Sequence, residues 1–259
     1  MAKIHPTAIV DPGAELAESV EVGPYVIIGP KVKIGPETTI GPHTVIEGPC
    51  AIGGQNRIGA FNHIGGPPQH VAYKGEDTAL EIGNCNLTRE YVTMHRGTVQ
   101  GGGKTVVGHW NFIMIGCHIA HDDIVHNGVI MANTAQLAGH VEVMDNAFFG
   151  AMCGVHQHAR VGRAVMVGGL SGVAMDAPPF SMVIGERARF VSLNKLGMQR
   201  LGFKDETVQT IKNAYRILHG GDLLIDDALK KVEEEFGNCP EVKEIIEFYQ
   251  SSKRGVISR

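Results

Sequence analysis

Ile34-Gly35-Pro36-Glu37-Thr38-Thr39-Ile40-Gly41-Pro42-His43-Thr44-Val45-Ile46 decides the fold. Each six-residue unit opens on an aliphatic residue, with Gly at place two and Pro at place three. The step continues in both directions. One series runs Ile4, Val10, Leu16, Val22, Ile28, Ile34, Ile40, Ile46, Ile52, Ile58, Ile64. A second runs Val107, Ile113, Ile119, Val125, Met131, Leu137, Val143, Phe149, Val155, Val161, Val167, Val173. A period of six fits neither the 3.6 of a helix nor the 2 of a lone strand. It fits a β-solenoid whose flat sides each contribute one inward anchor. Three sides make an 18-residue coil, and the register from residue 4 to about 184 gives roughly nine coils.

The remaining places follow from this geometry. Gly at place two (Gly23, Gly29, Gly35, Gly41, Gly53, Gly59) suits a corner that needs positive φ or close backbone approach. Pro at place three (Pro12, Pro24, Pro30, Pro36, Pro42) sets φ at a turn where the ladder needs no donor. Place five is small or β-branched and forms a second interior contact. Cys50, Cys117 and Cys153 stand there and read as small interior residues in a reducing cytosol.

The period breaks twice, at about Gly66 to Leu80 and Gly97 to Thr105. A solenoid accepts insertions at corners, so these are external loops on a rigid wall, where functional groups concentrate. Gly101-Gly102-Gly103 precedes no helix and lacks a Lys-Ser/Thr tail, so it reads as a flexible flap and not a phosphate cradle. After Pro178-Pro179 the spacing turns helical. Asp205 leads Val208, Ile211, Ala214, Tyr215 and Leu218. Ile225 to Phe236 makes a second helix, and Pro240 opens a third. The expected organisation is a mainly β solenoid over 1–184, then a linker and small helical domain over 185–259.

Composition excludes several classes. The 23 basic and 27 acidic residues leave net −4, without the basic stripe of a nucleic-acid binder. No apolar run approaches the ~18 residues of a membrane span, and the first residues carry no apolar signal core, so a cytoplasmic location is expected.

The chain has 13 histidines, and several share one edge. Stepping by 18 from His121 reaches Gly139 beside His140, then Gln157 between His156 and His158. His118 lies one side earlier. Three readings compete: a metal site built on His118-x-x-His121, a general base oriented by Asp122, or a surface with no chemistry. The last fares worst, because a plain scaffold needs no histidine edge flanked by two loops.

His118-Ile119-Ala120-His121-Asp122, Leu137-Ala138-Gly139-His140-Val141, Val155-His156-Gln157 and Met94-His95-Arg96-Gly97-Thr98 resemble the UDP-N-acetylglucosamine O-acyltransferases of lipid A biosynthesis. Asn194, Arg200 and Gly202-Phe203 extend the likeness toward the C-terminus. The resemblance implies a left-handed parallel β-helix, a homotrimer, and active sites between subunits. It implies His121 as general base, Asp122 as its orienting partner, and the Gly139 N–H as oxyanion donor. Gln69, His118, His140, His156 and Gln157 match cleft positions, and Asn194 and Arg200 match nucleotide contacts. Gly169 matches the position that limits acyl length, and hydrogen there implies a chain of about fourteen carbons. The acyl carrier protein thioester is a co-substrate, and no metal or other cofactor is expected.

The chain departs from the family pattern near the acceptor. Where Asp-x-Lys commonly follows the first-loop Gln, Gln69 is followed by His70, Val71 and Ala72. Leu196 and Leu201 replace a Glu and an Arg. A 3-amino sugar acceptor is therefore an alternative to the 3-hydroxy sugar. A zinc-dependent, carbonic-anhydrase-like trimer is the rival from another class.

Overall fold

A computed structural model describes residues 1–221 and 223–258. Each hexapeptide yields a short strand, and every third strand pairs into one flat side. Side one begins at Lys3–Ile4 and includes Ser181–Ile184; side two runs from Ile9–Val10 to Gly172–Val173; side three runs from Glu15–Leu16 to Arg160–Val161. Within each side the coils pair in parallel, with Ile40 against Ile58 and Met131 against Phe149. A bridge from Val161 to Ala177 completes the ninth coil. Place-one residues such as Ile28, Ile46, Ile64, Ile113, Ile119 and Phe149 form the buried column.

The corners decide between the two reasons offered for place-two glycine. Positive φ falls at place four, on non-glycine residues: Tyr25, Lys31, Glu37 and His43 stand at +57° to +58°. The place-two glycines serve close approach instead. A Cβ on Gly35 would lie 2.6 Å from the Gly53 carbonyl carbon, and one on Gly41 equally close to that of Gly59. Pro fits place three because that N–H has no backbone acceptor, while the carbonyl takes the place-four N–H of the next coil. Gln55 N donates to Pro36 O at 2.7 Å, and Phe61 N to Pro42 O at 3.0 Å.

Place five is also more polar inside than expected. Asn56, Asn86 and Asn111 stack beneath one corner, all buried. Asn86 N donates to Asn56 Oδ1 and Asn111 N to Asn86 Oδ1, each at 2.9 Å, and Val129 N to Asn111 Oδ1 at 2.7 Å. Each amide thus satisfies a backbone group that an apolar residue would leave to the turn alone. Cys50, Cys117 and Cys153 are buried, and all five cysteines are free.

The first break lies between strands His63–Gly66 and Ala79–Ile82. Buried Arg96 donates to Gly48 O at 2.6 Å, Gly65 O at 2.9 Å and Tyr73 Oη at 3.3 Å, fastening this loop to the wall. The second, between Thr93–His95 and Lys104–Val107, is not a free flap. Gly103 N and Gly101 N both donate to Thr98 O, at 2.8 and 3.1 Å, closing a tight turn.

Beyond the coils, strand Arg189–Leu193 pairs antiparallel with Ser181–Ile184. The helices are α1 (Lys195–Arg200), α2 (Asp205–Leu218), α3 (Ile225–Phe236) and α4 (Pro240–Gln250). The strand and α1 were not legible in the sequence, since α1 has six residues and buries only Met198. Tyr215 Oη donates to Pro179 O at 2.7 Å, and Arg163 pairs with Glu244 at 2.7 Å, seating the helices on the last coils. No helix among the described residues is long and apolar enough to cross a membrane.

Gly41→Ala should cost about 1–3 kcal/mol, because its Cβ meets backbone that cannot move alone. Glu37→Gly, which relieves a left-handed side chain, should stay within about 1 kcal/mol of the parent. Urea unfolding of both variants measures the difference.

Candidate active site

The candidate site lies at the corner joining sides two and three, in coils six to eight. His121, Gly139 and Gln157 take place three in successive coils, and Asp122, His140 and His158 take place four. The place-four residues hold φ of +64°, +63° and +63°. This aims their side chains together along one edge.

His121 Nδ1 donates to Asp122 Oδ2 at 2.7 Å, leaving Nε2 as the ring nitrogen with a free lone pair. The Asp122 side chain is fully buried. Its Oδ1 accepts from Thr98 N at 2.6 Å and its Oδ2 from Thr98 Oγ1 at 2.7 Å. Its own N–H donates to Thr105 Oγ1 at 2.8 Å. The second loop is therefore a clamp on the carboxylate. A Cβ on Gly101 would collide with Asp122, which accounts for one glycine of the triplet.

Gly139 lies directly over His121: a Cβ there would fall 2.5 Å from the ring's Cε1 and 2.9 Å from Nε2. Its N–H, like other place-three donors, meets no backbone acceptor, and no side chain among the described residues accepts from it either. His140 Nε2 stands 3.6 Å from Asp122 Oδ2, and its ring stacks on His158 at 4.4 Å. Burial lowers the His140 pKa, although Asp122 pulls the other way. His118 bonds Thr93 Oγ1 through Nδ1 at 2.7 Å. Burial, then His95 and His121, push it down to about 4, so it is neutral at physiological pH.

Gln69, His118, His121, Gly139, His156 and Gln157 line one open cleft of about 630 Å³. The other expected residues lie elsewhere in the single chain. His140 faces a hollow on the far flank of the corner. Gly169 sits in coil nine at the corner between sides one and two and does not line the cleft. Asn194 and Arg200 line a hollow of about 350 Å³ on side one, together with Leu196 and Leu201. The Asn194 side chain caps α1, accepting from Gly197 N at 3.0 Å and donating to Ala164 O at 2.9 Å.

Sequence reasoning missed several neighbours. His70, noted only as a departure, lies edge-on to His121 at 5.2 Å between ring centres. Thr98 gave no signal because its loop leaves the period. Gly154 did give one: the outward column of side two runs Thr93, His118, Gln136, Gly154, Gly172 and ends in glycines. Nothing lies within 4 Å of a Cβ built on Gly154, so the wall is bare there, two coils above His118.

Ligand atoms of His121, Asp122 and His140 lie within 4.8 Å of one another. Both Asp122 oxygens already accept hydrogen bonds, so an ion would have to break the dyad to use them. The donor set fits a hydrogen-bonded base better than an open metal site.

Comparisons with known proteins place this three-sided solenoid with its His–Asp dyad among acyltransferases. A family model described as UDP N-acetylglucosamine O-acyltransferase, domain 2, matches residues 176–257. The acyl-[acyl-carrier-protein]–UDP-N-acetylglucosamine O-acyltransferase of Thermodesulfovibrio yellowstonii is 49% identical over 256 residues, 99% of each chain. The protein of the same name from Anaeromyxobacter dehalogenans is 50% identical over 253 residues, 98% of each. Among solved structures, the Francisella novicida UDP-N-acetylglucosamine acyltransferase superposes with a TM-score of 0.96 at 33% identity, covering 99% of this chain and 94% of that one. The Moraxella catarrhalis UDP-N-acetylglucosamine O-acyltransferase gives 0.96 at 39%, covering 98% and 99%. The chain belongs to the acyl-[acyl-carrier-protein]–UDP-N-acetylglucosamine O-acyltransferase family, and its β-helix is left-handed.

His118, His95 and His140 are all held below the ordinary histidine value, chiefly by burial. Between about pH 6.5 and 4 the unfolded chain then binds more protons than the folded one, so stability should fall as pH falls through that window. Urea midpoints at pH 7.5 and pH 5 test the direction. Histidine NMR should place His118 near 4.

Proposed function

We propose that the chain transfers a 3-hydroxyacyl group from acyl carrier protein to the 3-position of UDP-N-acetylglucosamine; its relatives' names carry the acyl carrier protein and the UDP-sugar. The observation that supports this reading best is the pairing of His121, oriented by Asp122, with the free Gly139 N–H one coil above.

His121 Nε2 removes the proton of the sugar 3-hydroxyl as its oxygen attacks the thioester carbonyl carbon. The carbonyl oxygen gains the negative charge, and the Gly139 N–H donates to it. The C–S bond then breaks, and the protonated imidazole returns the proton to the leaving thiolate. Asp122 stabilises the imidazolium between these steps. Neutral His118 offers a hydrogen bond without repelling that cation. The thioester brings its own activation, so the scheme needs no further cofactor.

The bare wall at Gly154 gives an extended acyl chain a surface above the dyad. Together with hydrogen at Gly169 it supports a donor of about fourteen carbons, since pockets discriminate chain length methylene by methylene. Arg200 and the Asn194 corner would reach the nucleotide from a neighbouring copy, with Arg200 suited to phosphate. A homotrimer is supported by the apolar outward column of side one, which runs Leu87, Phe112, Ile130, Phe148, Met166, Met182 beside Arg200.

A 3-amino acceptor is the second reading, favoured by one observation. His70 and Ala72 stand where a charged Asp and Lys are usual, and His70 touches His121. A carboxylate there would hold an amine as unreactive ammonium, whereas an imidazole does not.

His121→Ala should lower kcat about 10²–10⁴-fold with a much smaller change in KM. Near parental turnover would remove His121 from the mechanism. In paired assays on one preparation, the 3-hydroxy sugar and a donor of about fourteen carbons should outpace the 3-amino sugar and a donor of about ten carbons.

A further inference from the structure

Asp123 occupies place five, inside the wall directly behind the dyad, and is 0% exposed. Elsewhere that place holds Ala, Val, Leu, Cys, Ser, Thr or Asn. Its oxygens accept from two coils: Oδ2 from Ala120 N and Oδ1 from Val141 N, both at 2.8 Å. The second bond resembles those of the buried asparagines, as when Asn62 takes Val92 N at 2.7 Å. The first has no counterpart at any other described corner.

Place-two N–H groups ordinarily donate to the place-one carbonyl of the next coil. Gly41 N reaches Ile58 O at 2.7 Å, Ala138 N reaches Val155 O at 3.0 Å, and Gly150 N reaches Val167 O at 2.7 Å. By that rule Ala120 N would reach Leu137 O, but it turns inward to Asp123. The strand register reflects the diversion. Coils six and seven pair on side two through His118 and Gln136 alone. The coils on either side of them pair through two residues, including Met94 with Ile119 and Leu137 with Val155. The ladder is thus interrupted at the step leading into His121. One carboxyl takes over, joining the residue before His121 to the residue two after Gly139.

We propose that Asp123 is a positioning residue that sets the spacing between the His121 ring and the Gly139 N–H. This rests on the acyl-transfer reading above. Asparagine serves several other polar corners, but here its amide nitrogen would face one of two N–H donors. Only a carboxyl presents an acceptor to both. Burial pushes this carboxyl well above the usual range, while the two backbone donors oppose the shift. Keeping an acid in this interior is costly, and among place-five residues it occurs only behind the dyad.

Two substitutions test the assignment. Asp123→Ala introduces what place five already carries at Ala135, Ala147 and Ala159, and it frees Ala120 N to rejoin the regular ladder. Asp123→Asn keeps one acceptor and loses the other. Both should lower kcat at least about ten-fold, since small misplacements of reacting groups are expensive, with KM for each substrate within about three-fold. The acid limb of the kcat–pH profile should not move, because the His121–Asp122 bond is untouched. Cys117→Ala, a buried change in the same coil, should leave kcat at the parental value. Parental kcat in Asp123→Asn overturns the proposal even if Asp123→Ala does not fold, as does a proportional rise in KM. Absence of acyl transfer by the parent would instead overturn the reaction assignment.

Discussion

Coil-to-coil hydrogen bonding at a fixed step is the constraint on which everything else depends. A two-residue strand has no stability of its own, and its backbone groups are satisfied only by the coils above and below. The buried column of Ile, Val and Phe holds the stack together by removing apolar surface from water, but the ladder sets the register. Once the register is set, a residue's place in the hexapeptide becomes its spatial address. The glycines of place two accept this constraint directly, since any side chain there would strike the next coil's backbone.

The reactive constellation uses the ladder's idle and missing bonds. Place-three N–H groups donate to no backbone carbonyl, which admits Pro24, Pro36 and Pro42 in the early coils. At Gly139 the same vacancy leaves an unpaired donor on the residue stacked over His121. Asp122 sits in a left-handed conformation that costs a non-glycine residue about 1–2 kcal/mol, and it is held there by Thr98 and Thr105. At the next bond inward the ladder gives way altogether, and Asp123 replaces it. Regularity supplies the platform, and departures from regularity make the site.

Much of this was legible residue by residue. The Ile and Val series marks the coils, and the 18-residue phase puts His121, Gly139 and Gln157 in one column. Place-two glycine suited either a positive φ or a close approach, and only the structure selects clearance, because periodicity does not say which corner residue turns left-handed. The glycine triplet looked mobile, yet its turn is closed by Thr98, which also grips Asp122. Asn194 looked like a ligand contact, while its amide also caps a helix too short to show a period.

The sequence alone determined the architecture and the column of candidate groups, because a strict repeat converts position along the chain into position in space. Tertiary structure alone decided which groups touch. The loops that bring His70 to His121 and Thr98 to Asp122 lie outside the repeat, so no phase predicts their contacts. The inward turn of Ala120 N–H toward Asp123 likewise depends on two coils competing for one donor. That competition is settled by local geometry, which spacing along the chain does not carry.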